Sequence, residues 1–180
     1  MSAPSRRTLL RNSPGGRREL ADLLQAVMVA EVLRPSSQLC VASAVLADSP
    51  VLDNRAGGFT SLEQTWSERP VGLIDVLIRN LTLGGRVAVV VGSGPNGEQF
   101  LRRLRDRAEA AGVALGLETH AALSVPVQGI AGEGYHFSGA LAWTATAVTI
   151  AEEGITFEVG TYAGARADTL FRQAYGGGAA

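Results

Sequence analysis

Two short apolar runs, Leu39 to Ala47 (LCVASAVLA) and Arg86 to Gly92 (RVAVVVG), set the tightest limit on what this chain can fold into. Both are rich in valine, and neither alternates with polar residues, so each reads as a strand covered on both faces. What surrounds them is helical. From Glu19 the apolar residues Leu20, Leu23, Leu24, Val27 and Met28 recur at i, i+3, i+4, i+7, i+8, and the stripe stops before Pro35. Leu73, Ile74, Leu77, Ile78 and Leu81 repeat it between Pro70 and Gly84-Gly85, and Phe100, Leu101, Leu104 and Ala108 repeat it up to Gly112. With Val113 to Leu117 as a further strand, helices and strands alternate, which calls for parallel strands with helices packed on them.

The pattern changes between Ala121 and Val159. The text there, LSVPVQGIAG, GYHFSG, ALAWTATAV and ITFEVG, reads as a hairpin, a short helix or bent segment, and another strand. A final helix carries Leu170, Phe171 and Tyr175 and runs into Gly176-Gly177-Gly178. There is no repeat and no internal boundary. The expected organisation is a flexible arginine-rich arm over residues 1–18, one domain over 19–176, and a flexible tail over 177–180.

Composition narrows the chemistry. At 180 residues with 46% apolar content the chain can bury a single core without disulfides or a structural metal. All 16 of its basic residues are arginine. Without lysine there is no Walker lysine, no Schiff base and no pyridoxal-phosphate anchor. The lone Cys40 forbids an internal disulfide, points to a reducing compartment, and in a buried strand is packing rather than a nucleophile. His120, His136 and Cys40 are too few and too far apart for a zinc set, so neither a metal nor a cofactor is expected.

A formal net charge of −1 gives the whole protein no general attraction for nucleic acid. The basic residues are local. Arg6, Arg7, Arg11, Arg17 and Arg18 lie in the arm, and Arg102, Arg103, Arg105 and Arg107 crowd the third helix; each set reads either as a solvated face or as a phosphate contact. No apolar run reaches the roughly 18 residues of a membrane span, so a cytoplasmic protein without a membrane partner is expected. The long connection over 48–70 places Asp53, Asn54 and Arg55 side by side, either as an Asx-type turn with a surface ion pair or as a small binding site.

Gly92-Ser93-Gly94-Pro95-Asn96-Gly97 matches the G-x-G-x-x-G of dinucleotide sites, between a strand and a helix, and Glu118 follows 21 residues after the third glycine. Read as such a site, Gly92, Gly94 and Gly97 would admit a pyrophosphate to the helix N-terminus, and Glu118 would hold the ribose. Against this, Pro95 removes one amide donor and too little chain follows for a second nucleotide half. Pro-Asn-Gly is also an ordinary turn before a helix.

A second constellation lies in VPVQGIAGEGYHFSGALAWTATAVTIAEEGITFEVG, residues 125–160. This stretch resembles the C-terminal half of a phospholipase-D-like domain, whose working form reads H-x-K-G, four residues, an acid, an aromatic strand, then S-G-S-x-N. Gly129, Tyr135, Phe137, Ser138, Gly139, Thr144 and Ile155 to Phe157 follow that framework. Upstream, LCVASAVLADSPVLDNRAGGF, GLIDVLIRNLTLGGRVAVVV and QFLRRLRDRAEAAGV are similar to phospholipase-D-like proteins of bacterial gene clusters that insert 7-deazapurines into DNA and serve phage defence. The likeness covers residues 19–176. It implies an α/β/α sandwich with a mixed, mostly parallel sheet. In the active family a histidine nucleophile attacks a phosphodiester, lysine and polar groups hold the charge, and two motifs face each other, so a single-motif chain must dimerise.

Here Pro126 stands at the histidine position, Gln128 at the lysine, Glu133 at the acid, and Ala140 and Ala142 at the serine and asparagine. Proline cannot be phosphorylated, and glutamine and alanine carry no charge to offer. The resemblance therefore implies a catalytically silent domain, a homodimer or a subunit of a larger assembly, with nucleic-acid binding as a second role. Two alternatives stand beside it. One is an active phosphodiesterase with a substituted site, for which His136 is the stand-in nucleophile; the other is nucleotide binding at Gly92 to Gly97.

Overall fold

The two valine-rich runs lie side by side at the centre of the sheet. In the computed structural model, which describes residues 5–13, 15–160 and 163–175, they form strands β2 (Gln38–Ser43) and β5 (Arg86–Gly92), parallel with Val41 opposite Val89. Helix α1 (Gly16–Leu33) precedes β2, and α2 (Leu73–Thr82) and α3 (Pro95–Ala110) flank β5 in sequence. A 3-10 turn at residues 114–116 leads into β6 (Leu117–Ala122), parallel to β5. This strand begins where the expected one, Val113 to Leu117, was to end, because Val113 and the turn it caps occupy the first part of that run.

The rest of the main sheet comes from β1 (Ser5–Leu10), β7 (Gly129–Gly132), β8 (Tyr135–Ser138) and β11 (Gly154–Val159), in the order β1-β11-β8-β7-β2-β5-β6. The sheet is mixed, but the expectation of mostly parallel strands gives way to two parallel pairings and four antiparallel ones. The cause is the hairpin β7–β8 and the return of β11 beside it. A second difference concerns the N-terminus. Residues 5–10, expected within a flexible arm, pair with β11 along their whole length, with Leu9 buried opposite Ile155. The sequence gives that strand no alternating pattern, because only Leu9 of its six residues is buried. Residues 1–4 and 176–180 lie outside the described residues.

The small-residue stretch after β8 is a second hairpin, β9 (Leu141–Trp143) and β10 (Val148–Ile150), rather than a helix. The Thr144 side chain closes its loop onto Ala147. The remaining pair, β3 (Pro50–Leu52) and β4 (Val71–Gly72), brackets the long connection.

One face of the sheet carries the core. Leu39, Val41, Val87, Val89, Val91, Ile130, Phe137 and Ile155 point at the apolar stripes of α1, α2 and α3, and Trp66 and Trp143 seal the cluster. The opposite face bears smaller residues, Cys40, Ala42, Val90 and Ala131, and is covered by α4 (Ala163–Tyr175) through Phe171. A polar network under the core fixes the β7–β8 turn. The buried Glu31 carboxylate accepts from Ser36 Oγ (2.5 Å), the Ser36 amide (2.9 Å) and Asn80 Nδ2 (3.2 Å), while Ser36 Oγ accepts from the Glu133 amide (2.6 Å).

Candidate functional site

The residues at the degenerate positions divide between the two ends of the sheet. Gly129 pairs with Ala42 and Ser138, which brings the segment before β7 to the C-terminal end of β2. Pro126, Gln128, Ala140 and Ala142 gather there. Glu133 sits in the β7–β8 turn at the other end, about 13 Å away along a four-residue strand. Its carboxylate is exposed, and only its amide is engaged.

At the strand ends the polar atoms close on backbone. Gln128 Oε1 accepts from the Ala44 amide (3.0 Å), and the Gln128 carbonyl accepts from the Gly139 amide (3.0 Å). Ser43 Oγ donates to the Leu141 carbonyl (2.5 Å), and Ala142 bridges to Val45. Tyr175, on the last turn of α4, holds the segment from the opposite side: its hydroxyl donates to the Val127 carbonyl (2.7 Å) and accepts from the Val127 amide (3.1 Å). Burial pushes the Tyr175 phenol above its usual range, with the amide bond partly offsetting it. Sequence gave no sign of this clamp, because 48 residues separate its halves.

His136 is not at this surface. It lies in β8 on the face that α4 covers, 5% exposed, with Ala131 opposite on one side and Glu158 on the other. Among the described residues Nε2 finds no hydrogen-bond partner. Burial lowers its pKa, Arg166 acts in the same direction, and Glu158 partly offsets them. This placement on the α4-covered face sets it apart from Pro126 and Gln128, which lie at the strand ends. His120 is half-buried on β6, 2.9 Å from Glu118. Cys40 is buried beneath α4, and desolvation pushes its thiol up to about 11, which agrees with packing.

The glycine motif has the strand-to-helix setting of a nucleotide site but not its acid. Glu118 pairs with Ala88 near the start of β6, whereas Gly92 pairs with Ala122 at its end. The carboxylate therefore lies about 13 Å from the turn that would hold phosphate. Gly92 and Gly97 are explained by packing: a Cβ on Gly92 would strike the Ala44 carbonyl, and one on Gly97 would come 2.5 Å from the Gly92 carbonyl.

Asp53, Asn54 and Arg55 do not act together. Asn54 turns inward and is fully buried, its Oδ1 accepting from the Phe59 amide (2.7 Å) and its Nδ2 donating to the Ser67 carbonyl. Asp53 and Arg55 stay exposed, 3.9 Å apart, so the Asx-type turn with a surface ion pair is what forms. Together with Arg17 they rim a groove of about 370 Å³ between α1, β3 and the β9–β10 loop.

The arginine clusters are largely engaged within the fold. On α3, Arg103 pairs with Asp48 (3.2 Å), Arg107 with Asp75 (3.1 Å), and Arg105 donates to Thr119 Oγ1. Asp75 also takes Arg69 (2.8 Å) and the Gly72 amide (3.3 Å), which ties the long connection to α2. Near the N-terminus Arg6 pairs with Glu158, Arg7 with Glu19, and Arg18 with Asp22, while Arg11 reaches the Ala151 carbonyl. No ion pair of Arg17 or Arg102 is found among the described residues.

No protein-family model matches this sequence, and no curated protein does. Solved structures do. Polyphosphate kinase from Porphyromonas gingivalis superposes with a TM-score of 0.52 at 14% identity, over 97% of this chain and 26% of that one. The described residues share the fold of the matched part of that kinase. This chain spans about a quarter of that kinase. Nuc from Salmonella typhimurium, a phospholipase D family member, gives a TM-score of 0.49 at 12% identity over 95% of this chain and 91% of that one. The archaeal chromatin protein TrmBL2 gives 0.46 at 11% identity over 96% of this chain and 50% of that one. At those scores neither adds to the assignment, and at these identities a likeness speaks of fold alone. No helix among the described residues is long and apolar enough to cross a membrane.

Proposed function

We propose that this phospholipase-D-like domain is catalytically silent and works as a structural or recruiting subunit of a bacterial DNA-modification or anti-phage assembly. The observation that carries the reading is the strand-end surface. Where the resembling enzymes hold a nucleophile and a cation, Pro126 has no proton to move, and Gln128 is bound to the Ala44 amide. Ser43 and Ala142 are tied into the backbone of the β9 hairpin. Losing one oxyanion-type donor alone lowers rates by about 10²–10³, and here the whole set is replaced. The exposed Pro126 and Val45, the latter 48% exposed, offer a partner an apolar contact instead. Engagement of Arg103, Arg105 and Arg107 within the fold favours protein over nucleic acid as that partner.

Two measurements test this. Purified protein is incubated with a chromogenic phosphodiester and with single- and double-stranded DNA, and no turnover above a mock preparation is expected. Native copurification is expected to yield a stoichiometric partner that Val45→Asp releases. Hydrolysis that disappears on His136→Ala overturns the reading.

A further inference from the structure

We propose that a cavity between α4 and the sheet binds a free amino acid with an apolar side chain, its ammonium on Asp168 and its carboxylate on Arg86. Helix α4 lies over β7 and β8, and about 310 Å³ remains between its Phe171 side and the faces of β2, β5 and β6. That volume stands at the small end of ligand pockets, which run from about 300 to 1,000 Å³. Cys40, Ala88 and Glu118 form one row across the three strands, and Ala42, Val90 and His120 form the next. Ala88, the middle of its row, is too short to fill the space between α4 and the Glu118–His120 pair. With Cys40, Val90 and Phe171 it makes an apolar bed.

The rim around this bed carries both signs of charge, and one group of each sign is left open. Asp168 Oδ2 accepts from Arg172 Nε (2.8 Å), and Arg172 reaches on to the Gln38 side chain (2.9 Å). Asp168 Oδ1 is buried and has no hydrogen-bond partner among the described residues. A buried acceptor left open is costly, and a ligand N–H satisfies it. Arg86 is exposed at the start of β5, and no ion pair of its guanidinium is found among the described residues. Its fork fits a carboxylate through two parallel hydrogen bonds. Gln38 stands opposite Arg86 in register, which sets the Asp168–Arg172 pair beside that fork. Arg86 and Arg172 balance Asp168 and Glu118, so a ligand of one sign meets as much repulsion as attraction. An α-amino acid carries both signs on neighbouring atoms and leaves its side chain for the apolar bed. A residue inside a peptide has lost at least one of those charges.

Neither Pro126, Gln128 nor Val45 lines this cavity, and its occupancy is independent of catalytic silence. Isothermal titration calorimetry of the full chain with L-phenylalanine and L-leucine should give a Kd of about 1 mM or below. Phenethylamine and hydrocinnamate, which each keep one of the two charges, should bind at least about tenfold more weakly. Arg86→Gln should bind L-phenylalanine no better than wild type binds phenethylamine, with an unchanged melting temperature because the side chain is exposed. Asp168→Asn should bind it no better than wild type binds hydrocinnamate. Ala88→Leu, which fills the bed, should abolish binding. No binding of either amino acid, equal affinity for the one-charge analogues, or undiminished binding by Arg86→Gln or Ala88→Leu overturns the proposal.

Discussion

Replacing Gly97 and Gly94 by alanine, one at a time, separates a packing motif from a ligand-binding one. At Gly97 the new Cβ would stand 2.5 Å from the Gly92 carbonyl and 3.0 Å from Val91 Cγ2, both on the strand that α3 covers. A backbone oxygen within a sheet cannot swing away as a side-chain tip can. Overpacking of this kind costs about 1–3 kcal/mol, offset by up to about 1 kcal/mol of helix propensity gained over glycine. The net loss expected for Gly97→Ala is about 1–2 kcal/mol, or a melting temperature lower by roughly 2–8 °C for a domain of this size. Gly94 caps the helix with extended backbone, φ 166°, and a Cβ there meets open space. Gly94→Ala should therefore stay within about 0.5 kcal/mol of wild type. Urea and thermal melts followed by circular dichroism provide the comparison, each with and without millimolar dinucleotide. The reasoning fails if Gly94→Ala is as unstable as Gly97→Ala, or if wild type is stabilised by dinucleotide and Gly94→Ala is not.

Three further outcomes follow from the same contacts. Burial alone would raise the Asp75 pKa, but the Arg69 hydrogen bond and charge, the Gly72 amide and Arg107 together hold it below the usual carboxylate range. Its stabilisation is thus complete above the unfolded value of about 3.9 and fades as pH falls. Asp75→Ala should cost about 2 kcal/mol at neutral pH, low for a broken buried pair because both arginines are half exposed, and should flatten the acid limb of the stability curve. For His136 the lowered pKa gives a linkage of the same sign at higher pH. The unfolded chain takes up the proton first, so stability falls as pH drops from about 6.5 to the folded value, and His136→Leu should remove that slope in melts between neutral and mildly acidic buffer. Cys40, with its thiol pushed up to about 11, should resist Ellman's reagent in the native protein and react promptly in denaturant; prompt native reaction would contradict its burial beneath α4.

Sequence exposed the parts of this fold whose residues repeat with a period. The stripes of α1, α2 and α3 and the valine runs of β2 and β5 were legible because each buries one face or both against the core. Strand β1 was not, since as an edge strand it exposes Arg6, Arg7 and Thr8 and buries only Leu9. The β9–β10 hairpin was hidden for a related reason: its small residues meet the end of β2 rather than a sheet of their own size. At the strand ends, the identities of Pro126, Gln128, Ala140 and Ala142 could be read in order along the chain. That Gln128 binds the Ala44 amide, that His136 faces α4, and that three arginines of α3 are held within the fold are contacts between distant segments. No local pattern encodes them.

The phenol of Tyr175 links the final helical turn to Val127, so the outline of the strand-end surface depends on where the chain's last turn is anchored. A reporter or affinity handle fused directly after Tyr175 would tug on that anchor and loosen Pro126 and Gln128 with it. Tyr175→Phe, which keeps the ring and removes the oxygen, would reproduce the same slackening without a fusion.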